Sequence, residues 1–179
     1  LFKDKTILIT GGTGSLGQAF TKRLLKMDPQ TIRIFSRNES KQIEMENKIK
    51  DDRLRFFLGD VRDLPRLNKA VEGVDFVFHA AALKHVPKIE YNPFEAIKTN
   101  VIGSHNVINA SLNQGVKKVI CVGTDKAVSP QNTYGATKLI MEKLFISASN
   151  YINPERHTTK FTALRYGNVL GSSGSVIPK

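Results

Sequence analysis

Thr6-Ile7-Leu8-Ile9-Thr10-Gly11-Gly12-Thr13-Gly14-Ser15-Leu16-Gly17 is the stretch that decides the fold. Its first five residues are apolar or β-branched and bounded by glycine, so they read as a short buried strand. Leu16, Ala19, Phe20 and Leu24 then fall at helical spacing over residues 15–27. The glycines therefore lie in a strand–turn–helix context. There Gly11 permits the tight turn, Gly14 lets backbone approach a pyrophosphate, and Gly17 lets helix and strand pack closely. The helix start adds N–H groups and partial positive charge for phosphates. Thr13, Ser15 and Leu16 complete the loop that would line the ligand.

Working outward, apolar runs alternate with longer amphipathic stretches. Strands are expected at 31–35, 53–58, 74–78, 116–122 and 160–164, and helices at 39–50, 64–71, 93–113 and 132–150. Such alternation predicts an α/β fold: a Rossmann-type, doubly wound parallel sheet with helices on both faces. Residues 1–179 fit one domain. The chain starts without Met and stops at Val176-Ile177-Pro178-Lys179 with no closing helix. It is expected to be the cofactor-binding part of something longer, with the C-terminal substrate-binding part largely missing.

Composition narrows the partners. Lys and Arg number 27 against 16 Asp and Glu, a net charge of +11. The excess is spread over both halves with no block of like charge, which favours a generally basic surface over a dedicated nucleic-acid stripe. No apolar run approaches the ~20 residues of a membrane helix, and no secretory leader is visible. The single cysteine, Cys121, has no internal partner, and no Cys/His spacing suits zinc. A reducing, cytoplasmic setting is expected.

The spacing of glycines 11, 14 and 17 resembles the short-chain dehydrogenase/reductase superfamily. An Asp or Glu at the end of strand two would hold the ribose 2′-hydroxyl of NAD. Ser36-Arg37 stands there instead. Arginine pairs with a 2′-phosphate in forked geometry, so NADP is favoured over NAD; otherwise Arg37 is a solvated charge. Asp60-Val61, after strand three, is placed to meet the adenine edge, or Asp60 caps the next helix. Ala80-Ala81-Ala82, after strand four, are small where ribose and phosphates would come close to backbone.

Strand five delivers Thr124-Asp125-Lys126 to the carboxyl edge of the sheet, where open α/β folds bind ligands. Tyr134 and Lys138 are four apart on the following helix and share a face. A lysine beside the phenol should lower the tyrosine pKa. Lys138 can also hold the nicotinamide ribose, and Tyr134 can exchange a proton with a hydroxyl. Asp125 and Lys126 are an acid–base couple or a plain ion pair.

A narrower resemblance rests on Gly59-Asp60-Val61-Arg62-Asp63, on residues 79–87, on Glu90-Tyr91-Asn92-Pro93, on Lys98-Thr99-Asn100, on Thr124-Asp125-Lys126-Ala127 and on Arg165-Tyr166-Gly167-Asn168-Val169. Together these resemble the UDP-N-acetylglucosamine 4,6-dehydratases of the CapD-like polysaccharide-biosynthesis family, specifically the branch inverting carbon 5. The resemblance implies an NADP-dependent hydro-lyase acting on UDP-N-acetylglucosamine or a similar UDP-sugar, working as a homo-oligomer. Tyr134 would take the 4-hydroxyl proton, a neutral Lys126 the carbon-5 proton, and a protonated Asp125 would donate to the departing 6-hydroxyl. Retaining relatives carry Asp-Glu where this chain has Asp125-Lys126. The resemblance further implies that Asn100 props the site, the alternative being a helix-packing role. It implies that Lys84 and His85 face the sugar, His85 being otherwise structural, and that Asn168 reaches the pyrophosphate. Ser173 stands where an arginine is expected. The competing readings are a UDP-sugar 4-epimerase, a retaining dehydratase and a non-catalytic NADP-binding module.

Overall fold

All five residues of the first strand, β1 (Thr6–Thr10), are buried. A strand hidden on both faces requires helices on both faces, and the computed structural model supplies them, describing residues 1–153 and 155–169. The other strands are β2 (Thr31–Ser36), β3 (Leu54–Leu58), β4 (Phe76–His79), β5 (Lys118–Val122) and β6 (Lys160–Leu164). They form one parallel sheet in the order β3-β2-β1-β4-β5-β6. The expected Rossmann-type α/β fold is present.

The two-residue period of strands sorts the core. Ile7, Ile9, Ile32 and Ile34 point to one face, where they meet Leu24 of α1 (Ser15–Leu25) and Met45 of α2 (Glu39–Ile49). Leu8, Val77, Val119 and Cys121 point to the other. There they meet Leu67 of α3 (Leu64–Val71), Ile108 of α6 (Gly103–Asn113) and Phe145 of α7 (Thr133–Tyr151).

The long helix expected over 93–113 is divided. It begins as α5 (Pro93–Ala96), widens into a π-helical segment at Ile97–Ile102, and only then becomes α6. Before it stands a helix the sequence reading lacked, α4 (Val86–Tyr91). Strands β4 and β5 begin two residues later than expected. Asp75 explains both starts: its carboxylate accepts from the Thr6 N–H at 3.0 Å and its carbonyl from the Lys117 N–H at 2.9 Å. These bonds fix the loops just ahead of the strands.

Because the sheet is parallel, Thr10, Ser36, Leu58, His79, Val122 and Leu164 end on one edge. Strand order reverses between β1 and β4, and in such sheets the crevice opens at that point.

Candidate active site

Gly11 has φ +68, and its N–H donates to the Phe35 carbonyl at 2.8 Å. A Cβ at Gly11 would lie 2.8 Å from the Ala81 nitrogen, so the residues following β4 close directly over the turn. A Cβ at Gly17 would lie 2.5 Å from the Gly12 Cα. Gly14 precedes α1, no side chain caps that helix, and a Cβ on Gly14 would meet only the Gly11 oxygen. An uncapped helix start behind a backbone cradle is what a pyrophosphate needs, so these residues fit a dinucleotide. Thr13 is buried, its carbonyl accepting from Gln18 Nε2 at 2.9 Å; Ser15 and Leu16, half-buried, form the first turn of α1.

At the end of β2, Ser36 is buried and its hydroxyl accepts from Gln42 Nε2 at 3.0 Å. Arg37 is exposed, its guanidinium 3.6 Å from Asp60. Asp60 is bound more tightly by Arg62, whose Nη2 approaches to 2.7 Å. Burial works against ionisation of Asp60, and the Arg62 hydrogen bonds outweigh it, leaving the carboxyl below its ordinary pKa. Asp60 does not cap α3; Asp63 does, accepting from the Arg66 N–H at 3.0 Å. Val61 turns inward: its side chain lies in the core, and a Cβ on Gly103 would come within 2.6 Å of it. Ala80 and Ala81 are tied to β1, their N–H groups donating to the Thr10 carbonyl at 3.1 Å and the Thr10 hydroxyl at 3.3 Å. Ala82 is half-buried beside them.

At the carboxyl end of β5 the expected catalytic residues lie together. Tyr134 is buried in the first turn of α7, with the Thr124 hydroxyl near enough to act on its phenol. Thr124 Oγ1 donates to Asp125 Oδ1 at 3.0 Å. Lys126 Nζ lies 3.3 Å from the same oxygen and donates to Asn168 Oδ1 at 2.9 Å. One polar line thus runs from the buried Thr124 hydroxyl to an exposed ammonium. Gly135 lets α7 approach it, because a Cβ there would collide with the Lys126 carbonyl.

Two electrostatic expectations are corrected. Lys138 does not lower the Tyr134 pKa. Its ammonium points behind the phenol, donating to the Val122 carbonyl at 2.7 Å and facing Met141 Sδ at 3.4 Å. Burial pushes Tyr134 above its ordinary pKa, the Thr124 hydroxyl opposes this, and nearby Tyr166 and Asp125 add to it. Burial also brings Lys138 down to about 8. Asp125 is not held protonated: hydrogen bonds from Thr124 and then Lys126 lower its pKa.

Asn100 is fully buried with its amide spent inside the protein. Its Oδ1 accepts from the Leu83 N–H at 2.8 Å, and its Nδ2 donates to the Leu83 carbonyl at 3.0 Å and to Thr137 Oγ1 at 3.1 Å. It stands behind the crevice, holding the loop after β4 to α7. Lys84 and His85 are exposed and rim a cavity of about 270 Å³ with Lys88, Asn92 and Glu95 over a floor of Leu83 and Ile89. Ser173 lies outside the described residues. Sequence reasoning missed Glu90, whose Oε1 accepts from the Thr133 N–H at 2.7 Å at the start of α7. It also missed His79, a bonded histidine inside the core. The Glu-Tyr-Asn-Pro motif was the available signal for the first; only the sequence neighbourhood of Ala80 pointed to the second.

The sequence profile of the polysaccharide biosynthesis protein family matches residues 7–179. The chain belongs to that family. It is 54% identical over 179 residues to the UDP-N-acetylglucosamine 4,6-dehydratase (inverting) of Campylobacter jejuni, covering 99% of this chain and 53% of that protein. It is 50% identical over 182 residues to the UDP-glucose 4-epimerase of Rickettsia conorii, with the same coverage. The solved structure of Pen from Bacillus thuringiensis superposes with a TM-score of 0.95 at 46% identity, covering 98% of this chain and 54% of that one. The chain spans about half the length of these relatives. Among the described residues, no helix is long and apolar enough to cross a membrane.

Proposed function

We propose that this chain is the cofactor-binding and acid–base half of an NADP-dependent UDP-N-acetylglucosamine 4,6-dehydratase that inverts carbon 5. The observation that carries the reading is the hydrogen-bonded line Thr124–Asp125–Lys126–Asn168 at the mouth of the sheet, with the buried Tyr134 phenol close to Thr124. A lysine adjoining the acid gives the site both a proton donor and a base strong enough for a carbon acid.

Gly11, Thr13, Gly14, Ser15, Leu16 and Gly17 would hold the pyrophosphate; Ser36, Arg37 and Asp60 the adenosine end; Ala80–Ala82 and Lys138 the ribose near the nicotinamide. A nicotinamide held there would supply the hydride acceptor for sugar carbon 4 and the hydride donor for carbon 6. Tyr134 would act as its phenolate, a form that a neighbouring positive nicotinamide favours against burial, and would become the neutral phenol by taking the 4-hydroxyl proton. The ketone so formed acidifies the carbon-5 proton. Asp125 and Lys126 begin as an ion pair; a sugar that excludes water favours the neutral pair, because desolvation penalises both charges. One proton moving from Lys126 to Asp125 creates the amine and the carboxylic acid together. The Lys126 amine then removes the carbon-5 proton, and Asp125 protonates the departing 6-hydroxyl, which leaves as water. Reprotonation of carbon 5 from the opposite face gives the inverted product. Asn168 orients Lys126 from the segment after β6 and is a candidate contact to the substrate diphosphate, with Lys84 and His85 nearer the sugar.

The test is full-length enzyme with UDP-N-acetylglucosamine in D₂O. Loss of one water with deuterium at an inverted carbon 5 is expected. A product without deuterium at carbon 5 would exclude the inverting dehydratase. The name of the Rickettsia relative favours the second reading, a 4-epimerase, which would return an isomer of unchanged mass; a retaining dehydratase would keep the carbon-5 configuration. Self-association is also proposed, supported by exposed Ile97, Ile102, Ile140 and Ile146 on the π segment and α7. Sedimentation of the full-length enzyme checks it. A cytoplasmic location remains part of the proposal.

A further inference from the structure

His79 is a buried titratable residue that the proposed chemistry does not use. It is 1% exposed, stacked against Phe145 with ring centroids 5.8 Å apart. Burial, with Lys138 nearby, pushes its pKa down to about 3, so the ring is neutral. Its hydrogen bonds then have one consistent direction. Ser104 Oγ donates to the Asn100 carbonyl at 2.6 Å, so it accepts from His79 Nε2 at 2.9 Å. The neutral ring leaves Nδ1 bare, and Thr10 Oγ1 donates to it at 2.7 Å. The Thr10 oxygen in turn accepts from the Ala81 N–H at 3.3 Å.

Both ends of this relay reach functional backbone. At one end Ala81 lies against the position a Gly11 Cβ would take. At the other Asn100 binds Leu83 and Thr137, and Thr137 Oγ1 donates to the Tyr134 carbonyl at 2.9 Å. We propose that His79 is a positioning residue: through Thr10, Ser104 and Asn100 it locks the dinucleotide turn and the Ala80–Leu83 loop at a fixed distance from Tyr134. The relay acts on the reaction because a donor and acceptor misplaced by about 1 Å can lose about 10²-fold in rate. This inference rests on the proposed dehydratase reading only for its kinetic arm.

The variant is His79→Phe, which keeps the ring stack and removes both bonds, with Ser104→Ala as a gentler cut in the same relay. Full-length protein is used, and three quantities are read: hydrogen exchange at the Ala81 and Leu83 amides, NADP⁺ affinity by calorimetry, and kcat against KM for UDP-N-acetylglucosamine. Both variants are expected to exchange these two amides at least tenfold faster and to lose tenfold or more in kcat, with KM within threefold and no change in β2–β3 exchange. NADP⁺ affinity is expected to fall severalfold. The double variant is expected to match the worse single one. Unchanged exchange at Ala81 and Leu83 would overturn the relay, as would S104A with parental kcat in an active enzyme. If His79→Phe fails to fold, Ser104→Ala alone decides. If the parent releases no dehydrated sugar, the function reading falls while the exchange and NADP⁺ arms still judge the relay.

Discussion

Lys138 is the residue where function and stability oppose each other. Its ammonium is buried, and burial lowers its pKa from 10.5 to about 8. A folded-state pKa below the unfolded one means the unfolded chain binds the proton more tightly between those values. Stability therefore rises as pH climbs from about 8 to 10.5, and the cost is fully present below about 8. At about 1.4 kcal/mol per unit the cost is about 3 kcal/mol. Lys138→Met removes it and loses the bond to the Val122 carbonyl, worth about 1 kcal/mol. The variant is expected to gain about 2 kcal/mol in urea unfolding at pH 7, to lose roughly 0.5–1 kcal/mol at pH 10.5 where only the missing bond remains, and to be inactive. Equal stability of variant and parent at pH 7 would show that the folded protein does not strain this charge. Gly17→Ala makes the opposite case. Its new methyl meets Gly12 backbone, which cannot step aside. It is expected to cost roughly 1–3 kcal/mol and to abolish NADP⁺ binding in calorimetry.

The start of α7 is the element on which the proposed chemistry turns. Asn132 Oδ1 accepts from the Gly135 N–H at 2.9 Å, and Glu90 reaches across from α4 to the Thr133 N–H. Asn132→Ala is expected to lower stability by about 1 kcal/mol. Glu90→Gln keeps an acceptor and removes a negative charge at a positive helix end, a loss of roughly 0.3–1 kcal/mol. Thermal unfolding ranks the two, and kcat is expected to fall in both because Tyr134 lies in the first turn. The six strands and the Tyr134–Lys138 spacing were legible in the sequence because each is a local pattern. α4 was not: six residues anchored by a single buried Ile89 cannot show a period. The π segment was illegible for a related reason. One extra residue per turn shifts the face, so Thr99 and Asn100 turn inward while the apolar Ile97 and Ile102 stand exposed. The pKa directions of Tyr134 and Asp125 also lay beyond the sequence, because they depend on where Lys138 and Thr124 point.

For the whole molecule, strand order joins these parts. The reversal between β1 and β4 places the glycine turn, the Ala80–Ala82 backbone and the Thr124–Lys126 corner on one edge, with α7 behind it. The net charge of +11 then suits a ligand carrying several phosphates. Every residue proposed to hold the dinucleotide lies within residues 1–179, so this chain by itself is expected to be stabilised by NADP⁺. Ligand at a hundred times its Kd adds about 2.7 kcal/mol, a rise of roughly 5–10 °C in melting temperature for a chain of this size. NAD⁺ at the same concentration should give a smaller shift, since Arg37 is half exposed and, among the described residues, bound only to Asp60 at 3.6 Å, leaving it available to a 2′-phosphate. Arg37→Ala should bring the NADP⁺ shift down to the NAD⁺ value and leave the NAD⁺ shift as it was. Equal shifts from both cofactors in the parent would remove the basis for preferring NADP, while the glycine turn, Tyr134 and the Asp125–Lys126 pair would stand as argued.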